Sequence, residues 1–205
     1  MARRYSTSDV SERILNAAHE LFITNGYAGT SIRDIAAASG ANVAHVKYYF
    51  DSKANLFEII FDEAFEVLVR RVFSTLSSDM PFLEIIEKWI NIYYEVLPEY
   101  PQIPMFILNE INHSPDTLVN KIISKNPQKI FSKLTEKMEE EISKGTIKDI
   151  PVIDFGLNVL SLCVFPFIFS GFATRIANKS RSEYNMIIKE HKQHVVDFVM
   201  NALRP

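Results

Sequence analysis

The side chains best equipped for recognition chemistry cluster in one short stretch, Thr30 to Lys53, which reads TSIRDIAAASGANVAHVKYYFDSK. At 100° per residue, a helix through its second half sets Ala44, His45 and Tyr48 opposite Val43, Val46 and Phe50. Asn42, Lys47 and Tyr49 flank that outward face. A short, flat face rich in hydrogen-bonding groups suits base edges and phosphate oxygens. Two outward tyrosines also suit a protein interface. Lys53 falls in the first turn of a following helix, beside free backbone N–H groups, where a cation and those amides together clamp a phosphate. Thr30 and Ser31 offer a second helix start of the same kind.

The elements that must carry these residues follow from periodicity and caps. Val10, Ile14, Ala17, Ala18, Leu21 and Phe22 keep the spacing of one helix face, with Asp9 and Glu12 as a capping box and Asn25-Gly26 as a stop. Thr30 caps a short second helix over 31–38, with Ile32, Ile35 and Ala36 inward, broken at Ser39-Gly40. A third runs from about Ala41 to Tyr49, and Asp51-Ser52 caps a long fourth through Leu56, Ile60, Ala64, Phe65 and Leu68. Two short helices joined at a glycine-containing turn form a helix-turn-helix, with Ala36 and Ala37 small enough for the crossing. Pro81 opens a fifth helix. Pro98, Pro101 and Pro104 mark an irregular link, and further helices begin at about Met105, Ser114-Pro115, Asn126-Pro127, Pro151 and Ser180 or Ser182. The chain is expected to be all-α with about nine helices.

The 205 residues are 47% hydrophobic and 23% charged, with fifteen Phe and only six Gly, a composition that favours helices over a turn-rich β fold. Net charge is −3, so bulk charge does not point to nucleic acid; residues 1–53 hold six Lys/Arg against five Asp/Glu, a slight basic bias. Cys163 is the single cysteine, which excludes an internal disulfide and fits a reducing, cytoplasmic compartment. Met1 to Thr7 lead into no apolar signal segment. Residues 155–174 carry no charge and are long enough to cross a bilayer. Asn158, Pro166, two Gly and the lack of flanking basic clusters favour a helix buried in a dimer instead, so no membrane association is expected.

No Ser/His/Asp order, phosphate-binding glycine loop or metal signature emerges, and Cys163 lies in an apolar helix where a thiol is inert. His191 and His194, near Glu190 and Asp197, have metal-like spacing but no convincing third ligand. The chain is therefore expected to be no enzyme, with neither cofactor nor metal.

The segment LFITNGYAGTSIRDIAAASGANVAHVKYYFDSKANLF resembles the N-terminal domain of the TetR (tetracycline repressor) family, in its Asn-Gly-Tyr, its Thr-Ser-Ile-Arg-Asp-Ile-Ala and its aromatic-Phe-x-Ser-Lys-x-x-Leu run. The resemblance implies phosphate contacts at Thr30, Ser31, Tyr48, Tyr49 and Lys53, and groove contacts at Asn42, Val43, Ala44, His45 and Lys47. The chain departs from the commonest pattern at His45 and at Val46-Lys47. By the same resemblance, residues 1–53 form the DNA-binding domain and 54–205 an effector-binding and dimerisation domain. The last two helices pair across a two-fold axis, and the operator is an inverted repeat. The common mode of the family is a repressor released by a small apolar or amphipathic molecule. Its pocket would be lined by Trp89, Tyr93, Met105, Phe106, Glu110, His113, Phe131 and Phe165, residues that read equally as plain core or solvated surface. The alternative is a helical small-molecule- or protein-binding dimer that does not act through DNA.

Overall fold

A computed structural model describes the backbone of residues 7–101, 103–113, 115–123 and 126–205. Side chains 7, 8, 106, 109–111, 113, 115, 117, 118, 121 and 181 lie outside the described part. Among the described residues there are ten helices and no strand: α1 (Thr7–Asn25), α2 (Ile32–Ser39), α3 (Val43–Phe50), α4 (Lys53–Leu76), α5 (Phe82–Glu99), α6 (Ile103–His113), α7 (Pro115–Ile123), α8 (Pro127–Ser143), α9 (Val152–Ile176) and α10 (Arg181–Leu203). The all-α expectation holds, and each of the helix starts read from the sequence corresponds to one of these helices.

The chain divides into two compact units, one running to Glu66 and including Glu99–Ile103, the other comprising Val67–Pro98 and Pro104–Pro205. In the first, α1, α2 and α3 pack on one another. Their core is Ile14, Ala18 and Phe22 of α1, Ile35 and Ala36 of α2, Val46 and Phe50 of α3, and Leu56 and Ile60 of α4. Each large apolar side chain buried here contributes about 1.5–3 kcal/mol. This unit continues past residue 53 because Leu56 and Ile60, one turn apart on α4, complete that core. Residues 99–103 belong to it because Tyr100 sets its ring 4.9 Å from His19. Tyr100 and Ile103 also close a small cavity of about 20 Å3 lined by Phe22, Phe57, Ile60, Phe61 and Ala64.

Three local expectations are corrected. Thr30 does not cap α2: it is 2% exposed, and its hydroxyl donates to the carbonyls of Leu21 and Gly26. Ser31 takes the cap instead, through a complete capping box with Asp34. Val43 is not an inward anchor. As the first residue of α3 it lies at the solvent end of the helix, 37% exposed. Ala37 is exposed as well, so Ala36 alone supplies the buried small residue of the crossing.

In the second unit α5 is buried on nearly every side, through Phe82, Ile85, Ile86, Trp89, Ile90, Ile92, Tyr93, Tyr94, Val96 and Leu97. Pro98 does not end it; the helix closes one residue later, because a proline in the last turn disturbs few remaining hydrogen bonds. α9 packs on α8 and α10, and Phe155, Val159 and Cys163 are its buried residues. Pro166 has no N–H for the Leu162 carbonyl one turn earlier. The Tyr94 hydroxyl, 3.5 Å away, donates to that carbonyl instead, and Tyr184 donates to the Pro166 carbonyl at 2.8 Å. Most of α9 stays uncovered. Ile153, Leu157 and Leu160 form one exposed stripe. Phe165, Phe169 and Phe172 form another, roughly 120° away around the helix. α9 is long and apolar enough to cross a membrane by length and composition alone.

Candidate nucleic-acid interface

The turn between α2 and α3 is set by backbone chemistry. Gly40 ends α2 in the left-handed region at φ +67°, where a residue with a Cβ is strained, and its N–H returns to the carbonyls of α2's last turn. Arg13 reaches from α1 to donate to the Ser39 carbonyl at 3.0 Å and pairs with Asp9 at 3.6 Å. Sequence reasoning missed this brace. The signal available was a cation four residues after Asp9, beside the core position Ile14.

Asn42 caps α3: its side-chain oxygen accepts from the His45 N–H at 2.7 Å. With Val46 and Phe50 buried, the rest of the helix faces solvent. Asn42, Val43, Ala44, His45, Lys47 and Tyr48 are exposed, and Tyr49 is half-buried. Tyr48 is 81% exposed, its ring 5.1 Å from that of Tyr49 in an edge arrangement. The structure therefore brings the expected groove-facing set onto one exposed helix.

The start of α2 is a second polar feature of the same unit. Ser31 donates through its backbone N–H and hydroxyl to the Asp34 carboxylate, at 2.8 and 2.6 Å. Its oxygen accepts from the Asp34 N–H. Those hydrogen bonds hold the Asp34 carboxyl below the usual range. The Ile32 and Arg33 amides take no part in this box. Arg33 is exposed in the same first turn, a cation that sequence reasoning passed over.

Two residues expected at phosphates are placed otherwise. Thr30 is sealed inside the α1–α2 connection and presents no hydroxyl to a partner. The Lys53 ammonium turns toward that same connection, donating to the carbonyls of Tyr27 at 2.9 Å and Thr30 at 3.0 Å, 4.0 Å above the centre of the Tyr27 ring.

The expected effector-lining residues are dispersed. Trp89 and Tyr93 are buried one turn apart on α5, with Trp89 6.5 Å ring to ring from Phe155. Burial raises the Tyr93 phenol well above its ordinary value. Met105, Phe131 and Phe165 are exposed. The side chains of Phe106, Glu110 and His113 lie outside the described residues. A groove of about 430 Å3 in the second unit is lined by Arg71, Ser74, Thr75, Lys88, Asn91, Ile92 and Glu95, none of them among the eight. Cys163 is fully buried and its thiol is pushed up to about 12, which makes it inert.

A capped, exposed helix following a capped short helix across a left-handed glycine forms a helix-turn-helix. Residues 14–60 match the family described as bacterial regulatory proteins, tetR family. The chain is 27% identical over 198 residues to YttP of Bacillus subtilis (strain 168), described as a "Probable HTH-type transcriptional regulator", with 92% of each chain covered. Two solved structures share the fold. The TetR family transcriptional regulator PfmR from Thermus thermophilus has TM-score 0.59 and 20% identity, over 90% of this chain and 97% of that one. HlyIIR, a hemolysin II transcriptional regulator, has TM-score 0.56 and 23% identity, over 98% and 99%. Residues 14–60 thus carry the family match, and along its length the chain is similar to a probable helix-turn-helix transcriptional regulator.

Proposed function

We propose that the protein is a dimeric, cytoplasmic repressor that binds an inverted-repeat operator and is released from it by a small apolar or amphipathic molecule. The observation that carries the DNA reading is the exposed face of α3, with Tyr48 almost fully in solvent, in the same unit as the capped start of α2. Asn42, Val43, Ala44, His45 and Lys47 are assigned to base edges and the groove, and Ser31, Tyr48 and Tyr49 to phosphates. The first-turn amides of Ile32 and Arg33 are suited to a phosphate oxygen, because N–H groups at a helix start have no partner within the helix. Residues 1–53 are assigned DNA binding, and 54–205 effector binding and dimerisation.

Dimerisation through α9 and α10 is supported by the apolar surface α9 leaves open. Residues 155–174 carry no charge, and the apolar surface they leave open is too large a patch for a monomer to expose. For switching, α4 runs from the DNA-binding core into the second unit. A ligand that moved its far end would alter the spacing of the paired α3 helices, which DNA requires to match its own repeat. Such coupling is reciprocal: ligand and operator weaken each other by the same factor.

Duplexes selected from a random-sequence library by the purified protein should be inverted repeats, and their affinity should fall steeply with salt. A protein that retains no duplex at low salt refutes the DNA reading. For the effector, a ligand found by thermal-shift screening is titrated with and without the selected duplex. Equal affinity in both refutes the lever, and tighter binding with DNA makes the ligand a co-repressor.

A further inference from the structure

The junction between α3 and α4 is unusually tight. Asp51 sits at φ +60°, ψ −57°, a sparsely populated conformation that persists only where neighbouring contacts over-determine it. Two of those contacts come from Asn55, whose amide donates to the Phe50 carbonyl at 3.0 Å and whose N–H donates to the Ser52 hydroxyl at 3.1 Å. α4 therefore begins at a fixed place and angle, and its first residue is Lys53.

From there the ammonium reaches the Tyr27 and Thr30 carbonyls and the Tyr27 ring. Tyr27 is itself wedged edge-on against Phe57 of α4, centroids 4.9 Å apart. Thr30 is the residue immediately before the α2 cap, Ser31. An ammonium has three donors; two point at these carbonyls, and the aromatic face below attracts the remaining positive charge. We infer that Lys53 is a positioning residue for DNA binding: by tying the start of α2 to the end of α3, it fixes where the α2 N-terminus stands relative to the recognition helix. A phosphate contact is not its main role. This rests on the reading that DNA lies against α2 and α3.

The two roles separate in the salt dependence. A phosphate contact releases counterions, so losing one from each of two subunits lowers the slope of log affinity against log salt by about 1.8. A positioning tie leaves the slope alone and weakens binding at every salt concentration. Charge-conserving replacement separates them again. Arg is the better phosphate ligand, but its planar fork replaces the compact tetrahedral donor that two converging carbonyls and a ring accommodate.

The experiment measures Lys53→Met and Lys53→Arg beside the wild type on one inverted-repeat duplex selected with the wild-type protein. All are used at 25 °C, after circular dichroism shows them folded. Expected is a loss on the order of tenfold for both variants with the wild-type slope. Wild-type affinity for Lys53→Arg together with a slope lowered by about 1.8 for Lys53→Met shows a phosphate contact and overturns the inference. Wild-type affinity in both variants, with only a lowered melting temperature, reduces the tie to a stabilising one and also overturns it. Should Lys53→Met not fold, Lys53→Arg decides alone by the same two readouts. Failure of the wild type to select any duplex refutes the DNA reading itself.

Discussion

Replacing Asn42 by alanine removes the one side-chain acceptor that closes the first turn of α3, the 2.7 Å hydrogen bond from the His45 N–H. α3 is eight residues long, too short to persist without its cap and the packing of Val46 and Phe50. Loss of such a cap costs about 1 kcal/mol, within a range of about 0.5–2. For a chain of this size that corresponds to a melting temperature about 2–4 °C lower. Asn42→Ser restores an acceptor and should recover most of the loss. Asn42→Asp keeps the acceptor and places a negative charge at the positive end of the helix, adding about 0.3–1 kcal/mol. It should therefore melt at or above wild type. DNA binding should order the variants differently, because the aspartate that suits the helix repels phosphates. Asn42→Asp is expected to bind all duplexes weakly, while Asn42→Ser binds well with altered sequence preference. Thermal melts by circular dichroism and binding to the selected duplex give both orders. An unchanged melting temperature in Asn42→Ala, or an Asn42→Asp protein no more stable than Asn42→Ala, refutes the capping argument.

Leu157→Glu places a charge at an exposed position of α9, so the monomer fold should tolerate it while the dimer dissociates; light scattering at micromolar concentration checks this, and an intact dimer refutes the α9 assignment. Gly40→Ala puts a Cβ on a left-handed residue, 3.4 Å from the Arg13 guanidinium. It should cost about 1–2 kcal/mol in urea unfolding, mostly in the backbone, and a neutral result would show that the turn can relax. The Asp34 carboxyl is held below its usual range by the Ser31 hydroxyl and amide. A depressed carboxylate adds stability above its unfolded value, about 3.9, and loses it as pH falls through the lower folded value. The urea midpoint of wild type should therefore fall more steeply from pH 6 to pH 3 than that of Asp34→Asn, and equal slopes refute the box's contribution.

Much of the fold was legible because its signals are local. Gly26 and Gly40 stop helices, Asn126-Pro127 and Pro151 start them, and the three-and-four spacing in α1 marks a buried face without reference to any neighbour. The exposed face of α3 followed from one rotation angle and the positions of Val46 and Phe50. What failed was the choice between adjacent polar residues. Thr30 and Ser31 are equally good caps by type. Thr30 lost the role because the end of α1, nine residues back, presents the Leu21 and Gly26 carbonyls to its hydroxyl.

The same reason separates the two levels for Lys53 and for the bundle. Residue type and spacing alone determined that a cation stands at the start of α4 and that residues 155–174 of α9 carry no charge. Only the tertiary structure decided that the ammonium turns toward Tyr27 and Thr30, twenty-six and twenty-three positions away in sequence. It also decided that Phe155, Val159 and Cys163 are the covered face of α9, leaving Leu157 and Phe172 open. Helical periodicity is a property of neighbouring residues on one helix. The partner that satisfies a hydrogen bond or covers a uniformly apolar helix is chosen by segments far away in the chain, and a pattern with no polar face carries no record of that choice.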